Sequence, residues 1–354
     1  MTTIAELIAA HRAVPFAEAG GTPPERGARE DAQHESMASG ATRAEAAGRR
    51  ARDEEPDRFR TCFERDLDRI KHSKPFRRLA GKCQVFIAPD NDHLRNRLTH
   101  AIEVAQVAVS IARPLGLNLA LTEAAALGHD CGHGPAGHAS EDALSPFVDG
   151  GYHHAPYGAD VILAHLNLCE ETLDAIRNHS WNRPAPSTPE GEVVAWADRI
   201  AYVCHDFEDA VDAGIVTEQD LPRSVAEVVG RDRSKQLGAF ITGMVEASAG
   251  AGAIGCDETI ADALAGFRAF NYDRIYLRPE SRAQAAGVIE LLQQLTEWLI
   301  HHPDQIGTGV PAGTDDRAIT SAAVRYVSGM TDRFALRLAV EHLGWTPESL
   351  PRGV

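Results

Sequence analysis

Four side chains able to bind one cation are dispersed over three helical segments of this chain, so its fold has to cross those segments at one point. They are His100, the adjacent pair His129-Asp130, and Asp198. Imidazole nitrogens and carboxylate oxygens suit a divalent ion such as Mn2+, Mg2+, Zn2+, Fe2+ or Ni2+, and four protein ligands leave positions open for water and substrate. Hydrolysis at a bound metal is the expectation that follows. Each motif alone is weak, because a single helical histidine is ordinarily a hydrogen-bonded core or surface residue. What sets this stretch apart is the density of His129, Asp130, His133 and His138 around Gly132, Gly134 and Gly137, since glycine allows the tight turns through which several imidazoles converge.

Periodicity places the helices. Phe59, Phe63, Leu67 and Ile70 recur at spacings of three and four, predicting a buried stripe where the folded part begins. Thr99 is expected to cap a helix on which Ile102, Ala105, Val109 and Ala112 share a face, ending near Pro114 and Gly116. A helix of small residues follows Thr122 and carries His129-Asp130 at its C-terminal end, before the Gly132-His133-Gly134-Pro135 turn. The helix from about Glu192 to Ala213 has two unlike faces: Asp198, Tyr202, Asp206 and Asp209 on one, Val193, Trp196, Ile200, Val203, Phe207 and Val211 on the other. Such a polar stripe is ordinary on a surface helix, and the upstream His129-Asp130 is what points it toward a site. Leu291–Ile300 and Ala322–Val340 fit further amphipathic helices. The class is therefore all-α. Beyond a short amphipathic start at Ile4–Ala10, Gly20–Pro56 is rich in Gly, Ala, Arg and Glu, so residues 1–56 are expected as a mobile arm, 57–212 as the core and 213–354 as a helical extension.

A net charge of -16 opposes general affinity for nucleic acid or an anionic membrane. The six cysteines are far apart and predict reduced thiols. No apolar run approaches the roughly 20 residues a membrane span needs, so no membrane partner and a cytoplasmic location are expected. Against the acidic balance, the stretch from Arg58 to Arg97 also holds Arg65, Arg69, Lys71, Lys74, Arg77, Arg78, Lys82 and Arg95. Such a zone suits a substrate with several phosphates beside a metal, whereas Arg65 and Arg69 fit helix-face ion pairs equally well.

Five runs carry a family resemblance: Asp68-Arg-Ile-Lys-His-Ser-Lys-Pro-Phe-Arg-Arg-Leu, Gly81-Lys-Cys-Gln-Val-Phe, Arg97-Leu-Thr-His-Ala-Ile-Glu-Val-Ala-Gln, Gly128-His-Asp-Cys-Gly-His-Gly-Pro-Ala-Gly-His and Ala197-Asp-Arg-Ile-Ala-Tyr. In this order, across about residues 58–212, the chain resembles the HD-superfamily deoxyguanosine triphosphate triphosphohydrolases, which cleave a deoxynucleoside triphosphate into deoxynucleoside and intact triphosphate. The resemblance implies an HD helical core whose C-terminal extension completes the substrate pocket and oligomer contacts. It makes His100, His129, Asp130 and Asp198 the metal ligands. It implies catalytic roles for His138 and its partner Glu141, with His133 supporting the metal shell or binding phosphate. Arg97 and Arg268 correspond to phosphate contacts, Gln84, Tyr276 and His154 to pocket residues, and Tyr202 and Asp206 to the deoxyribose site. There, a tyrosine packed on C2' leaves no room for a 2'-hydroxyl while Asp206 accepts from the 3'-hydroxyl. The implied partners are a deoxynucleoside triphosphate, further copies of the chain as a homo-oligomer, and a nucleotide or single-stranded DNA effector. Two departures stand out. His154-Ala-Pro-Tyr replaces a family His-Asn-Glu-Gln, so a glutamate is missing beside His154, and Ala136 stands where phenylalanine is common. The alternatives are a phosphohydrolase acting on nucleoside monophosphates or other phosphoesters, and a non-enzymatic nucleotide sensor.

Overall fold

A computed structural model describes residues 22–87, 91–307 and 309–351, and these are helical, with two isolated β-bridges and no strand among them. The expected amphipathic start, Ile4–Ala10, lies outside the described residues. In chain order the N-terminal part supplies α1 (Arg26–Ser36), α2 (Cys62–Lys71) and α3 (Lys74–Arg78), followed by α4 (Arg97–Ala112) and α5 (Leu119–Gly128). Then come α6 (His138–Leu144), α7 (His154–Tyr157), α8 (Glu170–Asn178) and the long α9 (Pro189–Asp212). The extension adds α10 (Arg223–Val229), α11 (Arg233–Ala251), α12 (Glu258–Asn271), α13 (Pro279–His301), α14 (Asp316–Ser328) and α15 (Asp332–His342).

Small side chains let helix axes approach closely, and α4, α5 and α9 pack on one another through them. Ala101, Val104, Ala105, Ala108 and Ile111 of α4 meet Ala124–Leu127 of α5 and Val193, Val194, Ala197 and Ala201 of α9 in one buried cluster. The start of α4 differs from expectation. Asn96, not Thr99, is the cap: its side chain accepts from the Leu98 and Thr99 amides at 3.0 and 3.1 Å, and Thr99 Oγ1 accepts from the Asn96 amide at 3.2 Å. This moves the start to Arg97 and puts Arg97 and His100 together in the first turn. The expected buried face is also rotated, since Ile102 is exposed and Val109 only half-buried. An alanine-rich helix that is apolar nearly all round gives periodicity little to distinguish.

The extension feeds two cores. Val225, Phe240, Met244, Leu264 and Phe267 join the α4–α5–α9 cluster. Leu291, Leu292, Leu295 and Leu299 of α13 form a second one with Val324, Val327 and the inner side of α6 (Ala143, Leu144).

Residues 22–56, expected within the mobile arm, are docked on this core. The Arg50 side chain is buried, donating to Asp66 Oδ1 at 2.6 Å and to the Cys62 and Asn167 carbonyls at 2.9 and 2.5 Å. Asp66 Oδ2 in turn accepts from the Cys169 amide and Thr172 Oγ1. Glu190 likewise binds the Thr42 amide and hydroxyl and the Asn118 amide. The segment is anchored by buried polar groups paired with partners distant in sequence, a device that composition does not reveal. The expected stripe on α2 is shorter by one member: Phe63 and Ile70 are buried, whereas Phe59 precedes the helix and is exposed.

Most of the basic zone is spent on structure. Arg65 and Arg69 pair with Glu54, Lys71 with Glu123, and Arg95 with Glu103, Glu208 and Asp209. Lys82 is buried and donates to the His133 and Ser328 carbonyls. Arg97 alone of these pairs with an expected metal ligand, Asp130, at 2.6 Å.

Candidate metal centre and active site

Three close approaches at glycines assemble the site. Gly128 ends α5 where a Cβ would lie 2.6 Å from Ile176 Cδ1, so α8 packs directly on the turn that carries His129-Asp130. At Gly132 a Cβ would stand 2.0 Å from the His154 carbonyl oxygen and 2.6 Å from the Gly158 nitrogen, so this glycine admits α7 and with it His154. Gly137, at φ +61°, passes the Arg97 guanidinium with 2.2 Å between its ideal Cβ position and Nη2. Glycine supplies the positive φ there and the room.

His100, His129, Asp130 and Asp198 converge as expected. His100 Nε2 lies 3.1 Å from Asp198 Oδ1, and His129 Nε2 lies 3.4 Å from Asp130 Oδ1 and 3.6 Å from Asp198 Oδ1. Metal–ligand bonds of about 2.1 Å put neighbouring ligand atoms roughly 3.0–3.4 Å apart, so the donors stand near coordination distance of a shared ion. The protonation pattern agrees. His129 Nδ1 lies 2.6 Å from the Ala126 carbonyl, which orients the ring so that Nε2, buried and without a hydrogen-bond partner, faces the two carboxylates. Burial alone would raise the carboxyls, but Arg97, His129 and His133 hold Asp130 well below the ordinary range, and His100 and His129 do the same for Asp198. Both are anionic donors at neutral pH.

The sequence reading passed over His179. It follows α8, with Nδ1 2.8 Å from the Ile176 carbonyl and Nε2 3.2 Å from His154 Nε2. Burial pushes its imidazole down to about 3, so it is neutral. His154 is oriented by Glu141, whose Oε1 accepts from both its backbone amide and Nδ1, at 2.7 and 2.5 Å. The two Nε2 atoms therefore face each other across 3.2 Å, with Asp130 Oδ1 3.9 Å from His154 Nε2. Asp130, His154 and His179 form a second group able to hold an ion, sharing Asp130 with the first. Only the regular spacing of a histidine three residues past a buried Ile176 signals it in the sequence.

A carboxylate does meet His154, and it comes from α6, not from the run that follows the histidine. Two histidines share it, for His138 Nδ1 lies 3.4 Å from Oε2. Despite burial, which raises it, the hydrogen bonds from His138 and His154 hold Glu141 far below the usual carboxylate range. The two expected catalytic histidines have different settings. His138 is 76% exposed, whereas His133 is buried, 3.2 Å from Asp130 and stacked on His154 at 3.7 Å.

The polar stripe of α9 turns inward, contrary to an ordinary surface stripe, and Asp206 and Asp209 are buried. Tyr276 donates to Asp206 Oδ2 at 2.5 Å, while Asp206 Oδ1 is buried without a partner. Burial pushes the Asp206 carboxyl up to about 8. Arg268 donates to the Tyr202 hydroxyl at 3.0 Å, so Tyr202, Asp206, Arg268 and Tyr276 are gathered at the α9–α12 side. Gln84 follows the bridge between Cys83 and Asn96, the cap of α4, and its Oε1 is buried without a partner.

A helical core whose histidines and aspartates converge in this way defines an HD-domain phosphohydrolase, and the HD domain family matches residues 97–203, with the phosphohydrolase-associated domain matching 254–341. The chain belongs to the deoxyguanosinetriphosphate triphosphohydrolase-like family. A protein of that description from Caldanaerobacter subterraneus is 36% identical over 313 residues, covering 87% of this chain and 92% of its own length. Another from Clostridium perfringens is 38% identical over 299 residues, covering 80% and 87%. In fold, the chain is similar to the crystal structure of a hypothetical protein from Aquifex aeolicus, with a TM-score of 0.50 at 18% identity over 80% of this chain and 69% of that one. No helix of the described residues is long and apolar enough to cross a membrane.

Proposed function

We propose that this chain hydrolyses deoxynucleoside triphosphates, dGTP or several of them, to deoxynucleoside and intact tripolyphosphate at a divalent metal held by His100, His129, Asp130 and Asp198. The observation that carries the reading is the inward face of α9. Asp198, Tyr202 and Asp206 follow at four-residue steps, about 6 Å each along the axis, so a ligand laid along the helix meets metal donors at one end and Tyr202 and Asp206 at the other. A sugar hydroxyl at Asp206 Oδ1 gives that buried oxygen its missing partner. The names of the relatives agree with this substrate class.

When bound, the metal supplies Lewis acidity toward a phosphate oxygen and a water molecule. Arg97, fixed on Asp130, offsets charge developing on the phosphate oxygens. His138, exposed and tied to Glu141, carries the proton, either from the water or to the leaving 5'-oxygen. Buried His133 and His154 orient the phosphate and close the site from behind. Arg268 and Tyr276 give the extension its part in the pocket. The test is chromatographic identification of products from each deoxynucleoside triphosphate with Mn2+ or Mg2+, using a His129→Ala control. Deoxynucleoside plus tripolyphosphate, lost in the control, is expected; cleavage of a monophosphate alone would replace this reading with the monophosphatase.

A further inference from the structure

Arg199 follows the metal donor Asp198, yet no role has been given to it. Its Cζ lies 3.4 Å from the centre of the Trp181 ring, and its Nε is buried without a hydrogen-bond partner. Trp181 is itself fastened to α9: Nε1 donates to the Ala195 carbonyl at 3.0 Å, and the ring meets Trp196 edge-on at 4.7 Å. It is nonetheless 45% exposed, two residues past His179, so it stands where the buried donors give way to solvent. One turn along α9 from Arg199 is Tyr202, which accepts from Arg268, and Arg268 lies 4.3 Å over the ring of Tyr272. Neither guanidinium has a carboxylate hydrogen-bond partner among the described residues; both are held by aromatic groups. Aromatic faces restrain a guanidinium without neutralising it.

We propose that Trp181 is a positioning residue, whose ring presets Arg199 beside Arg268 as a receptor for the distal phosphates of a polyphosphate substrate. The inference rests on the proposed polyphosphate substrate. A free arginine would lose side-chain freedom on binding, and the stack removes that cost beforehand.

The probe is inorganic tripolyphosphate titrated calorimetrically into metal-loaded protein, which requires no turnover. Trp181→Leu keeps bulk but removes the aromatic face, and about tenfold weaker binding is expected, with Trp181→Phe within about twofold of the parent. In an Arg199→Gln background, Trp181→Leu should have no further effect. With a hydrolysed nucleotide, the same change should raise KM by that factor and leave kcat within about twofold. Unchanged tripolyphosphate binding in Trp181→Leu, or an equal loss with and without Arg199, would overturn the proposal. Tripolyphosphate binding that follows Trp181 in a protein that hydrolyses no deoxynucleoside triphosphate would support it and leave only the substrate reading to fail.

Discussion

Removing the Glu141 carboxylate in two stages tests how His154 is held. In Glu141→Gln the amide oxygen can keep both contacts to His154, now 2.7 and 2.5 Å, while its NH2 turns toward exposed His138, whose tautomer adapts. The charge is lost but the bonds are not. Charge-assisted hydrogen bonds are roughly twice as strong as neutral ones, so two such bonds at about 1 kcal/mol each give a loss of about 2 kcal/mol. Glu141→Ala instead strands the His154 amide and Nδ1–H, at about 4 kcal/mol. For a chain of this size these correspond to Tm losses of about 3 and 6 °C. Affinity for an ion at the Asp130–His154–His179 group should also fall, by about 10- to 100-fold, because His154 Nε2 loses an orienting partner. Thermal unfolding in chelator isolates the structural part, and competition with a chelating dye reads the second. If Glu141→Ala unfolds within 1 °C of the parent, or if the two variants lose equally, the carboxylate does not hold His154 and the reasoning fails.

At Gly132 a methyl group meets backbone atoms of His154 and Gly158, which cannot yield, so Gly132→Ala should lose about 3 kcal/mol or more by urea unfolding. Gly238, in the middle of α11 with open space around it, is the opposite case: Gly238→Ala should gain about 0.5–1 kcal/mol. Asp206 sets a pH dependence. Its folded carboxyl sits near 8 against an ordinary 3.8, so the folded state holds a proton that the unfolded state lacks between those values. The stabilisation is complete below about pH 4 and declines as pH rises toward 8, by up to about 1.4 kcal/mol per pH unit. Asp206→Asn removes that slope, so urea midpoints of metal-free protein at pH 5 to 8 should fall less in the variant; parallel curves would contradict the assignment.

Much of the site was legible because chemistry and turn geometry share the same letters. His129-Asp130 is followed by glycines that both permit the turn and admit neighbouring backbone, and Asp198 lies on a helix long enough for two faces to separate. The phosphohydrolase family followed from those runs and agrees with the relatives. What escaped has physical reasons. His179 carries no motif, and its role comes from packing that aims Nε2 at His154. The resemblance paired Glu141 with His138, whereas its shorter contacts go to His154, thirteen residues on and brought back by Gly132. Residues 22–56 look unstructured by composition because their anchors are polar: Arg50 and Thr42 meet Asp66 and Glu190, partners distant in sequence. The basic zone misled for the same reason, since the carboxylates that pair with its arginines lie largely outside it.

The central claim is cleavage between the 5'-oxygen and the α-phosphorus side of the polyphosphate chain. The most direct measurement is 31P NMR of dGTP turned over by metal-loaded protein in 18O-labelled water. The account predicts tripolyphosphate as the sole phosphorus product, with one 18O on a terminal phosphorus and none in deoxyguanosine. Orthophosphate or pyrophosphate as the first product, or label in the nucleoside, would contradict it.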